Sequence, residues 1–348
     1  MGAGSAPEHL SVLGLFHSQD PQALSMTHDR PMKKILVLGG AGFVGAHLCE
    51  KLAREDFAVT LATRRRSNAN HLIHLPRLTV LELNVHDEAA LTRAAAGHDA
   101  VVNLVAILHG TQAEFEKTHV ALAKNLAHAC IAAGVKQVVH VSALGANALQ
   151  PESAPSMYLR SKGEGEAVLN QAAAGAGATA NAGFDLSILR PSVIFGADDK
   201  FLNLFAKLQQ VLPFMPLAGA TARFQPVWVQ DVATAVVRCL QEVSPQASPR
   251  VIEAVGPNVF TLKELVQLAA QLSGVAGGYG RPVIPLPAWA GRLQATLMGL
   301  APGVPLMSVD NLDSMKVDNV ASGKLPGLAS LGITASALKP IAQQYLKP

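Results

Sequence analysis

Short apolar runs alternate along the chain with segments whose apolar residues recur every three to four positions. "KILVLGG" (34–40) reads as a buried strand, and "AHLCEKLARED" (46–56) has helical spacing. "AVTLATR" (58–64), "LTVLELNV" (78–85) and "DAVVNLVAIL" (99–108) give three more strands. A helix over "VALAKNLAHACIAAG" (120–134) leads to a fifth strand, "QVVHVSALG" (137–145), and "FDLSILRPSVIFG" (184–196) reads as a sixth. Strands that are apolar throughout and separated by helices imply an α/β fold, a doubly wound parallel sheet covered on both faces.

From about residue 197 the pattern changes. "FLNLFAKLQQVLPFMPLAG" is helical and then broken by proline, and "QPVWVQDVATAVVRCLQ" is a strand followed by a helix with Asp231 as its expected N-cap. Thr261 and Glu264 have capping-box spacing at the head of another helix. The chain therefore divides into a leader (1–31) expected to be disordered, a nucleotide-binding region (32–196) and a smaller, partly interleaved substrate-side region (197–348). "QAAAGAGATANAG" (171–183) reads as a flexible loop or frayed helix end.

Composition narrows the class. A hydrophobic fraction of 49% over 348 residues provides a substantial core, and a net charge of +3 is too balanced for a nucleic-acid partner. Cys49, Cys130 and Cys239 are too few and too far apart for a disulfide framework, which suits a reducing, cytoplasmic setting. The histidines lack ligand spacing backed by cysteines or carboxylates, so no metal is expected. The leader has no basic stretch ahead of its apolar run and carries Glu8, Asp20 and Asp29, unlike a secretory signal.

Two motifs carry chemistry. Gly39, Gly42 and Gly45 fall between a strand and a helix: one for the tight turn, one for close approach to a pyrophosphate, one for helix–strand packing. At the end of the second strand, where a carboxylate would hold the ribose of NAD(H), stand Thr63, Arg64, Arg65 and Arg66; arginines there suit the 2′-phosphate of NADP(H). "YLRSK" (158–162) sets Tyr158 and Lys162 four apart on one helix face, where the ammonium would lower the phenol's pKa and make a proton-transfer pair.

Together with "NVHD", "NLVAIL" and "LRPSVIFG", these motifs resemble the extended short-chain dehydrogenase/reductase superfamily, the NAD-dependent epimerase/dehydratases. "HVSALGAN", "YLRSKGEGE", "RPSVIFGADDKFLNLFA", "QPVWVQDVA" and "KLPGLASLGI" resemble its atypical branch, which includes nucleotide-binding accessory subunits of mitochondrial complex I and bacterial relatives. The resemblance spans residues 33 to about 345. It implies that Gly39, Gly42, Phe43, Val44 and Gly45 form the dinucleotide loop and that Arg64 and Arg65 face the adenosine phosphate. Asn84 and Val85 would border the adenine; Leu104, Val105 and Ala106 would flank the middle of the cofactor. Lys162 would bond the nicotinamide ribose beside Tyr158, with Pro191 and Ser192 near the carboxamide. One departure stands out. Where such enzymes place a catalytic Ser or Thr this chain has Leu144, and Ser142 comes two residues early.

The resemblance implies oxidoreductase or epimerase-type chemistry on a hydrophobic carbonyl or quinone-related substrate, with Leu144, Phe195, Arg223 and Trp228 as pocket lining. It equally allows a non-catalytic NADPH-binding subunit docking on a respiratory or ubiquinone-biosynthesis complex, or a sensor of the NADP redox ratio. Residues 281–307 are strongly apolar but interrupted by Pro285, Pro287, Pro302 and Pro305, too broken to span a membrane. Trp289, Leu293, Leu297 and Leu300 form a stripe that favours a core-facing helix over a peripheral membrane contact through 283–307.

Overall fold

The computed structural model describes residues 1–2, 32–175, 183–242, 248–300 and 307–346, with Leu300 described in its backbone only. The leader, most of the small-residue stretch at 171–183, Pro302, Pro305 and the Leu300 side chain thus lie outside the described residues.

Lys33–Leu38 (β1), Phe57–Thr63 (β2), Leu78–Glu82 (β3), Ala100–Asn103 (β4), Gln137–Val141 (β5) and Asp185–Pro191 (β6) are the first strands of a seven-stranded sheet. Every pairing is parallel, with β4 and β2 on either side of β1, so the order runs β6-β5-β4-β1-β2-β3. The order reverses between β1 and β4, and the crevice above that point is where doubly wound folds bind nucleotides.

Helices cover both faces. Phe43–Ala53 (α1) follows β1; Glu88–Ala95 (α2) follows β3. Gln112–Phe115 (α3) continues through a π-helical turn at Glu116–Ala121 into Leu122–Ala133 (α4), and Met157–Ala174 (α5) precedes β6. Alternation along β1 sorts the core: Ile35 and Val37 pack with Leu48 and Leu52 of α1, whereas Leu36 and Leu38 pack with Leu91 of α2 and Leu122 and Leu126 of α4.

Past β6 the chain departs from a single continuous strand. Ile194–Phe195 (β7) is separate and pairs with a later strand instead of the main sheet. Leu202–Val211 (α6), Met215–Leu217 (β8), Arg223–Phe224 (β9) and Val227–Trp228 (β10, the partner of β7) follow. Val229–Gln241 (α7) packs its buried Val232, Val236 and Leu240 into the core beneath α1. Arg250–Ala254 (β11) returns to the main sheet beside β6. Phe260–Thr261 (β12), Leu262–Leu272 (α8), Val283–Pro285 (β13), Ala288–Leu300 (α9), Val309–Ser314 (α10) and Leu338–Tyr345 (α11) complete the fold.

Two helix expectations meet different fates. Thr261 and Glu264 form the full capping box at α8. Asp231 does not cap α7, whose N-cap is Trp228; its buried carboxylate instead accepts Ser336 N–H (2.7 Å) and Oγ–H (3.1 Å), tying down the approach to α11. The α9 stripe does not face the core. Trp289, Leu293 and Leu297 are exposed, because the small residues Gly291 and Ala295 turn inward.

Candidate functional site: a crevice at the C-terminal edge of the sheet

The turn from β1 to α1 is built from glycines that differ in what they require. Gly39 sits at φ +79°, and Gly45 is packed so closely that a Cβ would lie 2.5 Å from Gly39 O and Gly40 Cα. Gly42 is different: a Cβ there would meet only Gly39 O, at 3.4 Å, and φ is an ordinary −84°. The protein's own packing therefore leaves room for a side chain at Gly42, and the need for glycine there fits the approach of a ligand. Gly42 is the N-cap of α1 with no side-chain cap and no acid in the first turn. The N–H groups of Phe43, Val44 and Gly45 are thus left for an anion at the positive end of the helix.

Around this turn the expected nucleotide contacts converge in part. Leu104 and Val105 cross directly over Gly39, whose added Cβ would lie 3.2 Å from Leu104 C and Val105 N. Buried Asn103 shapes that crossing by accepting the Val105 N–H at 3.1 Å. Ala106 is exposed next to them. The side chains of Arg64 and Arg65 are exposed at the end of β2 with no hydrogen-bond or ion-pair partner among the described residues, while the Arg65 carbonyl accepts from Thr63 Oγ1 and Asn68 N–H. Arg66 is spent on the protein, its side chain bonded to Val80 O (3.2 Å). Asn84 is exposed and accepts the His86 N–H, while Val85 is buried. Burial, with Lys117 and Arg64 nearby, lowers the His86 pKa.

At the other end, Lys162 is 1% exposed and donates to Val141 O (2.9 Å) at the tip of β5. Burial lowers its pKa to about 8, opposed by the nearby carboxylate of Glu166. Glu166 is itself buried and held by both arms of Arg190, with Nε at 3.0 Å. Tyr158 lies edge-on to Phe115 and His119, with ring centroids 6.2 and 5.6 Å away. The expectation that Lys162 would lower the phenol's pKa is reversed: burial raises it. Tyr158 is therefore held as the neutral phenol and not as a phenolate.

Sequence reading passed over His119. Ile107 N–H donates to its Nε2 (3.2 Å), so the ring proton is on Nδ1 and is donated to Ser161 Oγ (2.8 Å), which in turn donates to Tyr158 O (2.9 Å). Burial and the Lys162 charge push the His119 pKa down to about 3. Its neighbour His140, fully enclosed against Asn103, is likewise held neutral by burial and by Lys162. His119 sits on the π turn, a distortion that often marks functional sites. Gly165 lets this element close on α5, since a Cβ there would lie 2.5 Å from His119 O; Gly163 does the same for the loop after β5, where a Cβ would lie 2.6 Å from Asn147 O.

Asp310 and Asn319 were also missed, and both come from the far end of the chain. Asp310 accepts Met157 N–H (2.7 Å) and Tyr158 N–H (3.1 Å), capping α5 where Tyr158 stands. Asn319 accepts Val193 N–H (3.1 Å), and its main-chain carbonyl accepts the Ser192 hydroxyl (3.0 Å). Ser192 is therefore engaged within the protein, and Pro191 accepts Leu144 N–H at 2.9 Å. Leu144 is 3% exposed and offers no hydroxyl; Ser142 Oγ is buried without a hydrogen-bond partner among the described residues. Of the expected pocket lining, Phe195 is fully buried in the core of the C-terminal region, Trp228 is half-buried against that core, and exposed Arg223 pairs with Asp318 at 3.4 Å.

Known proteins resemble this chain in sequence and in fold. A mouse protein, mitochondrial NADH dehydrogenase [ubiquinone] 1 alpha subcomplex subunit 9, is 30% identical over 318 residues, 87% of this chain and 77% of its own. Its Arabidopsis thaliana counterpart is 30% identical over 67% of this chain, which spans only 56% of that protein. A Caulobacter vibrioides ceramide reductase is 26% identical over 69% of this chain and 70% of its own. In fold, the chain resembles a dTDP-glucose 4,6-dehydratase of Streptomyces venezuelae solved with NAD bound, with a TM-score of 0.62, 23% identity, and coverage of 73% of this chain and 84% of that one. Residues 35–254 match the family described as NAD dependent epimerase/dehydratase, and with the glycine turn, the parallel sheet and the Tyr158–Lys162 helix in place, the chain belongs to that family.

Proposed function

We propose that this protein is an NADP(H)-dependent oxidoreductase acting on a hydrophobic carbonyl or quinone-related substrate. The observation that carries the reading is the placement of protonated Tyr158 and buried Lys162 four residues apart on α5. The nicotinamide nucleotide, when bound, supplies or accepts the hydride. Phe43, Val44 and Gly45 N–H groups would hold the pyrophosphate, and Arg64 and Arg65 the 2′-phosphate. In the reducing direction Tyr158 gives its proton to the substrate oxygen as the carbon receives hydride. The Lys162 ammonium steadies the phenolate that remains. Tyr158 packs against the buried Ala143, Ala154 and Leu159, and these apolar surroundings favour a hydrophobic carbonyl over a sugar; the Caulobacter relative is named for reducing a ceramide.

Leu144 supports a second reading, a tightly held nucleotide without turnover in a subunit that docks on a larger complex. With no hydroxyl there to polarise the substrate oxygen, one electrostatic support of the reaction is missing. The relatives named as NADH dehydrogenase subunits accord with this.

One series of measurements tests both. NADPH and NADH are titrated into wild type and into Arg64→Ala/Arg65→Ala, and NADPH consumption is followed with hydrophobic aldehydes, ketones and quinones. A preference for NADPH of at least about tenfold, lost in the double variant, is expected from two charge-assisted contacts. Equal affinities would show that the arginines do not read the 2′-phosphate, and a preference for NADH would assign NAD(H). Turnover abolished by Tyr158→Phe with affinity retained supports the enzyme. Tight binding without consumption of any acceptor supports the subunit reading.

A further inference from the structure

Helix α9 is turned inside out relative to a core helix. A Cβ on inward-facing Gly291 would meet the Ala218 Cβ at 2.6 Å, so the helix is pressed onto the body of the protein through its smallest residues. Its largest face outward: Trp289, Leu293 and Leu297, four residues apart, are 72%, 55% and 58% exposed and form one stripe. Ile284, just ahead of the helix, is also exposed, and Arg292 and Thr296 flank the stripe on the same side. The segment's own charge has one sign. Between 281 and 300 the charged residues are Arg281 and Arg292, with no carboxylate. Asp313 on α10 is shared between Arg292 (3.0 Å) and Lys316 (2.8 Å), so this rim stays net positive.

We propose that α9 docks on the surface of a lipid bilayer. The helix lies in the interface plane, with Trp289, Leu293 and Leu297 entering the acyl boundary and Arg292 and Lys316 directed to anionic headgroups. Thirteen residues reach about 20 Å at 1.5 Å per residue, short of the roughly 30 Å hydrocarbon core, so the contact is interfacial. Among the described residues no helix is long and apolar enough to cross a membrane. A bilayer fits this face better than a folded partner does. Its acyl region accepts a featureless apolar stripe, and its anionic leaflet complements a rim in which Arg292 and Lys316 outnumber Asp313. The docked face is tied to the crevice through α10, which packs on α9 and whose Asp310 caps the Tyr158 helix.

Vesicle binding needs no turnover, so this proposal fails or stands independently of the enzymatic reading. The full chain is sedimented with phosphatidylcholine vesicles and with phosphatidylcholine–phosphatidylglycerol vesicles. Wild type is expected to pellet with both, more strongly with the anionic mixture by about fivefold per basic residue near the surface. Its emission should shift to the blue, and Trp289→Phe should remove the shift. Leu293→Asp/Leu297→Asp, at exposed positions that leave the fold and NADPH affinity intact, should lower partition by at least about tenfold. Wild type left in the supernatant with both vesicle types overturns the proposal. So does undiminished partition of the double variant, and so does a wild-type dimer in gel filtration that the variant dissociates while vesicles bind neither.

Discussion

Gly42 and Gly45 lie three residues apart, yet their substitution should have opposite consequences. In Gly45→Ala the new methyl falls 2.5 Å from Gly39 O, so the turn must move, at a cost of about 1–3 kcal/mol. In Gly42→Ala the methyl has a 3.4 Å neighbour and an accessible φ, so stability should stay within about 1 kcal/mol. That methyl stands where a pyrophosphate would approach, so NADPH affinity should fall at least about tenfold. Thermal melts and nucleotide titrations of the two variants separate packing from binding, and a Gly42→Ala protein with full affinity would remove the phosphate from this loop. The buried histidines give a second residue-scale prediction. His119 and His140 are held neutral when folded but take protons near pH 6.5 once unfolded. The unfolded chain then binds more protons, so stability is lost as pH falls below about 6.5, by up to about 1.4 kcal/mol per pH unit for each histidine. For His119 the loss continues down to about pH 3. The depressed carboxyls of Glu114, Glu264 and Asp313 act in the same direction only at lower pH. Urea midpoints between pH 7 and 5 therefore report mainly the histidines, and His119→Asn should make their decline shallower. A flat midpoint would mean both rings are already charged in the folded protein.

At the scale of elements, α5 is held at its head by two residues of very different origin. Ser156, the local N-cap, accepts Leu159 N–H, and Asp310 reaches in from α10 to take the N–H groups of Met157 and Tyr158. Asp310→Ala leaves both of these donors without their acceptor and removes a negative charge from the positive end of the helix, which should cost about 1–2 kcal/mol. Hydrogen exchange at Met157 and Tyr158 should quicken more than at the middle of α5, and Asp310→Asn should restore part of the protection. Uniform quickening along the helix would show that Asp310 holds the tertiary packing and not the cap. Such a contact has no local signature, because 153 residues separate donor and acceptor. The glycine turn was legible for the opposite reason: its spacing and the strand before it are local. Gly163 and Gly165 fall between these cases. Each costs a helix about 1 kcal/mol relative to alanine, so their presence in "KGEGE" signals close approach of another segment without saying which. The outward face of α9 could not be read from its stripe, since Gly291 and Ala295 define an equally good inward face.

For the whole molecule, the change of pattern near residue 197 does not separate two independently covered cores. The α1 side of the sheet is closed by Val232, Val236 and Leu240 of α7, and by Leu328, Leu331 and Ile333 still later in the chain. The open edge of β6 is paired by β11, and Glu253 of that strand bonds the Ser322 N–H (2.9 Å) of the C-terminal segment. A chain ending at 196 would expose that apolar face together with a parallel edge strand, two features that drive aggregation. A fragment of residues 32–196 should therefore be insoluble or lack fixed tertiary packing, although it contains the whole glycine turn and the Tyr158–Lys162 helix. The full chain from Met32 onward should melt in one cooperative transition, raised by NADPH through binding to the folded state alone. Gel filtration and near-UV circular dichroism of the fragment decide the matter. If it is monomeric, folded and able to bind NADPH, the later elements are an addition to a self-sufficient nucleotide domain. If it fails while the full chain binds, the crevice depends on strands and helices contributed from beyond the residues that line it.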